Sequence, residues 1–487
     1  MISFVAQLRK LASERPDAPA VTVESATDGR RSVTRAELDR RSDDLAVDLR
    51  ERGVVQGDLV SISLPNGIDW FVTTIAVWKL GATPQPLNAR LPVAELTAVV
   101  DLAEPRVVVG VAPDVLPGRT CLPRGHEAPP RPAGAELPDV ISPSWKAPTS
   151  GGSTGRPKLI LSTDPAAMDP GLPMAAIFGM TPDGCLVMPG PLHHNGPLVW
   201  SIAGLLSGLH IVLFDRFDPA RTLAAIEEHH ADSTYMVPTM MRRIWKLPEE
   251  VRTSYDLSSL KVLWHLAEPC PIWLKHAWID WLGPEKIMEL YGGTEGQAST
   301  VISGTEWLAH EGSVGKLLGG EAKVCDADGN ELPPGEEGEV WLRTARTTAP
   351  YRYVGAEART LEGGWESLGD MGRIDAEGYL YLGDRATDMV LVGGANVYPA
   401  EVEAVLDEHP LVRSSAVIGL PDDDTGSRVH ALVEADPAAV SADELLAYVA
   451  ERLSPYKRPR TVEFVDEPLR DDAGKVRRSQ LRAARLS

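Results

Sequence analysis

The densest cluster of chemistry-bearing side chains is Thr149-Ser-Gly-Gly-Ser-Thr-Gly-Arg-Pro-Lys158. Gly151, Gly152 and Gly155 allow the backbone to aim successive N–H groups at one point, and the hydroxyls of Ser150, Ser153 and Thr154 add donors. Lys158 contributes a positive charge, so the segment suits phosphate oxygens. It is not a Walker A loop, because Gly-Lys-Ser/Thr is missing and Pro157 separates Gly155 from Lys158. The same composition also describes a flexible Gly/Ser linker. Pro-Lys and the apolar run Leu159-Ile-Leu161 that follow it favour an ordered loop. Four further groups stand out: His193 with His194, Glu295 behind Gly292, Gly293 and Thr294, Asp370 behind Gly369, and Lys475 behind Gly474. Each has a bland reading: a loop-stabilising His pair, a solvated carboxylate, an Asp that caps a turn, a solvated basic tail.

The elements that must position these groups alternate. Residues 34–53 read as an amphipathic helix on Leu38, Leu45 and Leu49, residues 58–64 as a mostly apolar strand, and residues 70–80 as a helix closed by Gly81. This alternation continues past residue 260 and predicts an α/β domain with mainly parallel sheets. Residues 113–143, rich in Pro and Gly, read as a surface connection. Near residue 320 short strands such as 338–343 alternate with Asp/Gly/Pro turns, predicting a smaller β-rich unit. After residues 385–388 come a helix (400–408), two strands (414–419 and 428–435) and a helix (442–453), enough for a small α+β domain.

The chain has 487 residues and a formal net charge of −21. That field would repel a nucleic acid. Cys121, Cys185, Cys270 and Cys325 are far apart, without C-x-x-C pairs or zinc-ligand spacing, and read as buried thiols in a reducing compartment. No apolar stretch is long enough to span a bilayer and no signal-peptide core is visible, so a cytoplasmic enzyme without membrane attachment is expected.

The Gly-rich loop resembles the phosphate-loop signature of the adenylate-forming superfamily, which comprises acyl- and aryl-CoA synthetases, adenylation domains and luciferases. Other segments resemble that superfamily in order along almost the whole chain. They are Pro191-Leu-His-His-Asn-Gly-Pro197, Glu289-Leu-Tyr-Gly-Gly-Thr-Glu295, Trp365-Glu-Ser-Leu-Gly-Asp370, Gly383-Asp-Arg385 through Asp388, Gly393-Gly-Ala-Asn-Val-Tyr-Pro-Ala-Glu-Val-Glu403, and Pro468 through Lys475 with Arg478. Ala267-Glu-Pro-Cys-Pro-Ile-Trp-Leu274 looks closest to the bile-acid, steroid-acid and fatty-acid CoA ligases. The resemblance implies an α/β fold: two parallel-sheet subdomains plus a small β-barrel-like subdomain over residues 1–384, a hinge at 385–388, and a mobile α+β C-terminal domain at 389–487.

It also implies a two-step ligase that makes an acyl-adenylate from a carboxylic acid and ATP and passes the acyl group to coenzyme A. A carrier-protein thiol or an amine is the alternative acceptor, and a non-catalytic nucleotide- or acyl-binding homologue is the alternative of another class. By the resemblance, Ser150 through Gly155 and Lys158 hold phosphates and Glu295 holds Mg²⁺. Thr294 donates to the α-phosphate, and Tyr291, with Gly292 and Gly293, offers a face for adenine. Asp370 takes the ribose hydroxyls, with Arg385 on the other side. Lys475 bridges the carboxylate and the α-phosphate, while Gly393 and Gly394 line the pantetheine tunnel. His194 gates the acyl pocket, and His193, Trp200, Val237 and Thr239 line it. No Asp stands in the gate segment, which argues for an apolar fatty, aryl or polycyclic acid over an amino acid. Two positions depart from the pattern: Thr387, with Asp388, at the hinge, and Glu268, where a carboxylate either bonds the adenine amino group or signals altered nucleotide use. A carrier protein and a second copy of the chain complete the set of partners to be tested.

Overall fold

The structure, a computed structural model, describes residues 1–151, 157–169, 174–385, 388–392, 395–422, 425–471 and 474–486. Its spine is a parallel array of strands: Pro19–Ser25, His210–Phe214, Cys185–Met188, Ser233–Met236, Val262–His265 and Ile287–Gly292, adjacent in that order. Strands covered on both faces need continuous apolar runs, and Cys185-Leu-Val-Met188 and Ile211-Val-Leu-Phe214 are buried throughout. The helix Asn195–Leu206 packs on this array, and so do Arg35–Glu51 and Ile68–Lys79. A second parallel sheet joins Thr83–Pro86, Leu59–Ile62, Val107–Val109 and Cys121–Leu122.

The helix expected over 34–53 is Arg35–Glu51, opened by a capping box in which Thr34 and Glu37 each accept the other's backbone N–H. The one expected over 70–80 begins earlier, at Ile68. Within the connection 113–143, Cys121 and Leu122 pair with Val108 and Val109 and are buried, which the surrounding Pro and Gly concealed.

The β-rich stretch beyond residue 320 is joined by hydrogen bonds to the large sheet. Ser299–Ser303 and Ser313–Leu318 carry the hydrogen bonding from Ile287–Gly292 to Leu380–Arg385, and Trp365–Ile374, Gly338–Thr344 and Gly320–Cys325 extend it antiparallel. A separate antiparallel sheet joins Thr149–Gly151, Pro157–Ser162 and Tyr351–Val354. At the C-terminal end, Ser414–Asp422, Gly426–Glu434 and Thr461–Phe464 form a sheet covered by the helices Pro399–Glu408 and Ala442–Ala450. This unit has its own core, including Val402, Leu406, Val417, Val433 and Leu445.

Candidate active site

The strands on either side of the Gly-rich loop pair antiparallel. Thr149–Gly151 pairs with Pro157–Ser162, placing Ser150 opposite Lys158, while Gly152, Ser153, Thr154 and Gly155 lie outside the described residues. The neighbouring strand brings Tyr353 beside Lys158, whose Nζ lies 4.0 Å from the centre of that ring. The Tyr353 hydroxyl donates to Glu295 at 2.5 Å, and Lys158 Nζ stands 3.6 Å from the same carboxylate oxygen. Glu295 is buried, at the end of the turn after Ile287–Gly292, with Thr294 half-buried beside it. Gly293 leaves the room there that the Leu368 side chain and the Glu295 carboxylate occupy.

The other end of this turn meets Asp370. Tyr291 donates its hydroxyl to Asp370 Oδ2 at 2.7 Å, so its ring edge is tied to the carboxylate expected at the ribose. Asp370 follows Gly369, whose φ of +84° glycine tolerates without strain, and pairs with Arg385 across the sheet ladder. The Arg385 side chain, Thr387, Gly393 and Gly394 lie outside the described residues. Asp388 accepts from Arg478 at 3.0 Å.

The residues expected on the acyl side lie at the start of the helix Asn195–Leu206. His194 is its N-cap residue, and the preceding loop is held by Asn66, which accepts from Leu192 N at 2.8 Å and donates to the Gly190 carbonyl at 3.0 Å. His193 and His194 lie with ring centres 4.2 Å apart. Burial, aided by the charge of Lys475, holds His194 near pKa 3, so the imidazole is neutral. Lys475, more than two hundred residues away in sequence, acts on His194 through its charge. One turn further along the helix, Trp200 is buried in an aromatic cluster, stacked on Phe178 at 4.1 Å, with Tyr235 at 5.3 Å and Trp264 at 5.6 Å. The Tyr235 hydroxyl lies against Gly196, where a side chain would collide with it. Val237 is buried at the N-cap of Pro238–Trp245.

Glu268 has protein partners on both sides. Its carboxylate accepts from Thr239 N at 2.5 Å and Thr239 Oγ1 at 3.0 Å, and faces Arg470 at 3.4 Å. Thr239 lies in the first turn of Pro238–Trp245, where backbone N–H groups lack helical acceptors and the helix dipole favours an anion. Thr239, expected on the acyl wall, thus has both of these donors engaged. Burial raises the Glu268 carboxyl above the usual range, opposed by Arg470 and Arg242.

Sequence reasoning passed over Lys146. It is buried just before the Gly-rich loop, bonds the Asn195 side chain next to His194, and lies 4.7 Å from the Trp145 ring centre. Burial lowers it to about 7, against the pull of Glu295 and Asp164. A lysine between Trp145 and Ala147, directly before a phosphate-type loop, was the available signal.

Comparison with known proteins agrees with this geometry. The sequence matches the AMP-binding enzyme family over residues 8–352 and the AMP-binding enzyme C-terminal domain over residues 401–475. A feruloyl-CoA synthase from an Amycolatopsis species is 33% identical, with 93% of this chain and 94% of that protein covered. The o-succinylbenzoate CoA synthetase of Bacillus subtilis, solved with its acyl-adenylate intermediate, aligns with TM-score 0.80 and 26% identity, covering 98% of this chain and 97% of that one. The amide bond synthetase McbA of Marinactinospora thermotolerans aligns with TM-score 0.78 and 28% identity, each chain 99% covered.

The chain belongs to the AMP-binding enzyme family, within the adenylate-forming superfamily. It is an AMP-forming acid–thiol ligase that acts on a small-molecule carboxylic acid with ATP, Mg²⁺ and coenzyme A. Among the described residues no helix is long and apolar enough to cross a membrane. The site suits magnesium: Glu295 offers a hard carboxylate oxygen, and Mg²⁺ commonly takes one or two carboxylates while substrate phosphates and water supply the rest.

Proposed function

We propose that the chain is a cytoplasmic ATP-dependent ligase for an apolar carboxylic acid, with an aryl acid the best match, and that it delivers the acyl group to coenzyme A. This reading is supported by Lys158 and the Tyr353 hydroxyl standing at Glu295, and by Tyr291 bonding Asp370 at the other end of the same turn. In the first step a substrate carboxylate oxygen attacks the α-phosphorus of ATP, and pyrophosphate leaves. Two anions must approach, so the protein's task is positioning and charge neutralisation. Lys158 and the loop hydroxyls hold phosphate oxygens, Asp370 accepts from the ribose hydroxyls, and Lys475 spans the carboxylate and the α-phosphate. Glu295 would hold Mg²⁺, which neutralises phosphate charge when bound. Neutral His194 places an uncharged wall beside the acyl carbon.

In the second step the thiolate of coenzyme A attacks the acyl carbon, AMP leaves, and a thioester remains. Gly393 and Gly394 are assigned to the approach of that thiol, after residues 389–487 turn about 385–388. The aryl preference is supported by the aromatic group Phe178, Trp200, Tyr235 and Trp264 behind the His gate, and by the feruloyl-CoA synthase relative. The likeness to an amide bond synthetase makes an amine the acceptor to test against the thiol. Pyrophosphate exchange with a panel of cinnamic, benzoic, fatty and polycyclic acids tests the reading, followed by AMP release with coenzyme A or an amine. Exchange with an apolar acid and release only with the thiol is expected. Release with the amine alone would reassign the acceptor.

A further inference from the structure

The segment that carries Lys475 is held to the rest of the protein by a buried chain of alternating charges. It begins at Thr239, whose N–H and hydroxyl fix Glu268. Arg470 then stands between two carboxylates, 3.4 Å from Glu268 and 2.7 Å from Glu403. It also donates to the Gly474 carbonyl at 3.0 Å and the Ser415 carbonyl at 3.1 Å. Glu403 accepts from Arg478 at 2.7 Å, and Arg478 reaches Asp388 at 3.0 Å, beside the expected hinge. Glu268 and Arg470 are both almost fully buried. Arg470 pairs with Val476, and Asp471 accepts from the backbone N–H groups of Gly474 and Lys475, so fixing the Arg470 guanidinium helps to fix the backbone there. The Glu268 carboxylate also lies against Gly474, where a Cβ would overlap it. Ala267, one residue before, has a φ of +79°, a strained conformation for a residue with a Cβ.

Of these links, Glu268–Arg470 joins the two domains, whereas Glu403, Arg478 and Asp388 all lie at or beyond the hinge. Turning the C-terminal domain would separate Glu268 from Arg470 and leave Arg470 its Glu403 partner. The chain of charges therefore favours one domain orientation, the one in which Gly474, next to Lys475, packs on the Glu268 carboxylate.

We propose that Glu268 is a positioning residue: it captures Arg470, seats Lys475 for adenylation, and sets the balance between the adenylating and thioester-forming orientations. This rests on the two-step reading above. Arg242–Asp407 and the bonds from Lys246 to the Asp407 and Val412 carbonyls also hold the domains together, so loss of the Glu268 link biases the balance without abolishing docking.

The test uses the full-length enzyme with Glu268→Ala, Arg470→Ala and the double variant. Single-turnover adenylate formation should slow by about 10- to 100-fold, in the range of a typical coupling between sites. The KM for ATP should be unchanged, thioester formation from a synthetic acyl-adenylate should be undiminished, and the double variant should match the single ones. Amide hydrogen exchange supplies a readout independent of the chemistry: the amides beyond Thr239 in the helix Pro238–Trp245, which docks through Arg242 and is followed by Lys246, should exchange faster in each variant. A raised KM for ATP alone would return Glu268 to the adenine. Additive losses, equal loss of both half-reactions, or unchanged exchange in Pro238–Trp245 would each overturn the latch. Should the unmodified enzyme form no adenylate, the proposed function fails, while the exchange measurement still judges the latch.

Discussion

Lys146→Met should stabilise the protein and impair its chemistry, with a pH dependence that identifies the cause. Lys146 is buried with the Asn195 side chain as its partner, and burial lowers it from 10.5 to about 7. Between those values the unfolded chain holds the proton and the folded chain does not, so stability falls as pH falls through the window. Above about 10.5 both states are neutral and the penalty vanishes; below about 7 it is constant. A 3.5-unit displacement corresponds to about 5 kcal/mol at about 1.4 kcal/mol per unit. Met keeps the apolar stem but leaves Asn195 without this partner, which takes back about 1–3 kcal/mol. The net gain near pH 7 is therefore about 2–4 kcal/mol, shrinking and reversing toward pH 10.5 as the burial penalty vanishes and the lost bond remains. Thermal unfolding of the variant and the unmodified protein, compared at pH 7 and pH 10, reads this difference. Adenylate formation should fall, because Asn195 follows His194 and sets the start of the gate helix. A variant less stable at pH 7, or equally stabilised at both pH values, would refute the buried-charge argument.

Other outcomes follow from the same geometry. Glu295→Gln should lower adenylation most at limiting Mg²⁺ while leaving the fold intact; turnover independent of this change would remove Glu295 from the metal site. Lys475→Ala should slow adenylate formation by about 10²–10³, the effect of losing one preorganised electrostatic contact, and spare thioester formation from a synthetic adenylate. Equal loss of both steps in rapid-quench traces would contradict its assignment. Because His194 is held near pKa 3, the adenylation rate should show no His194 limb between pH 5 and 8; an imidazole NMR titration in that range would disprove its neutrality. No proteinogenic amino acid should support pyrophosphate exchange, since the gate segment has no carboxylate for an ammonium group, and robust exchange with one would overturn the acid class.

Much of this architecture is legible in the sequence because its determinants are local. Thr34 and Glu37 mark a helix start by themselves, and runs such as Ile211-Val-Leu-Phe214 declare a strand covered on both faces. The Gly-Gly-Thr-Glu turn is likewise read from consecutive residues. What escaped depends on partners distant in the chain. Lys146 draws its meaning from Asn195 and from burial, which no periodicity around residue 146 reveals. The contacts of Glu268 with the N-terminal turn of Pro238–Trp245 and with Arg470 are likewise invisible from its neighbours in sequence. The strands beyond residue 320 read as a separate unit because Asp/Gly/Pro turns isolate them; their pairing through Ser299–Ser303 and Ser313–Leu318 to the parallel sheet is a long-range fact.

The central claim is that one site first joins an acid to AMP and then exchanges AMP for a thiol. A single-turnover rapid quench with α-labelled ATP and an accepted aryl acid tests it directly. Without coenzyme A, the label should accumulate as enzyme-bound acyl-AMP with matching pyrophosphate. On adding coenzyme A, the adenylate should decay to AMP at the rate at which acyl-CoA appears. Formation of ADP and phosphate, or AMP release at the same rate with and without the thiol, would contradict the account.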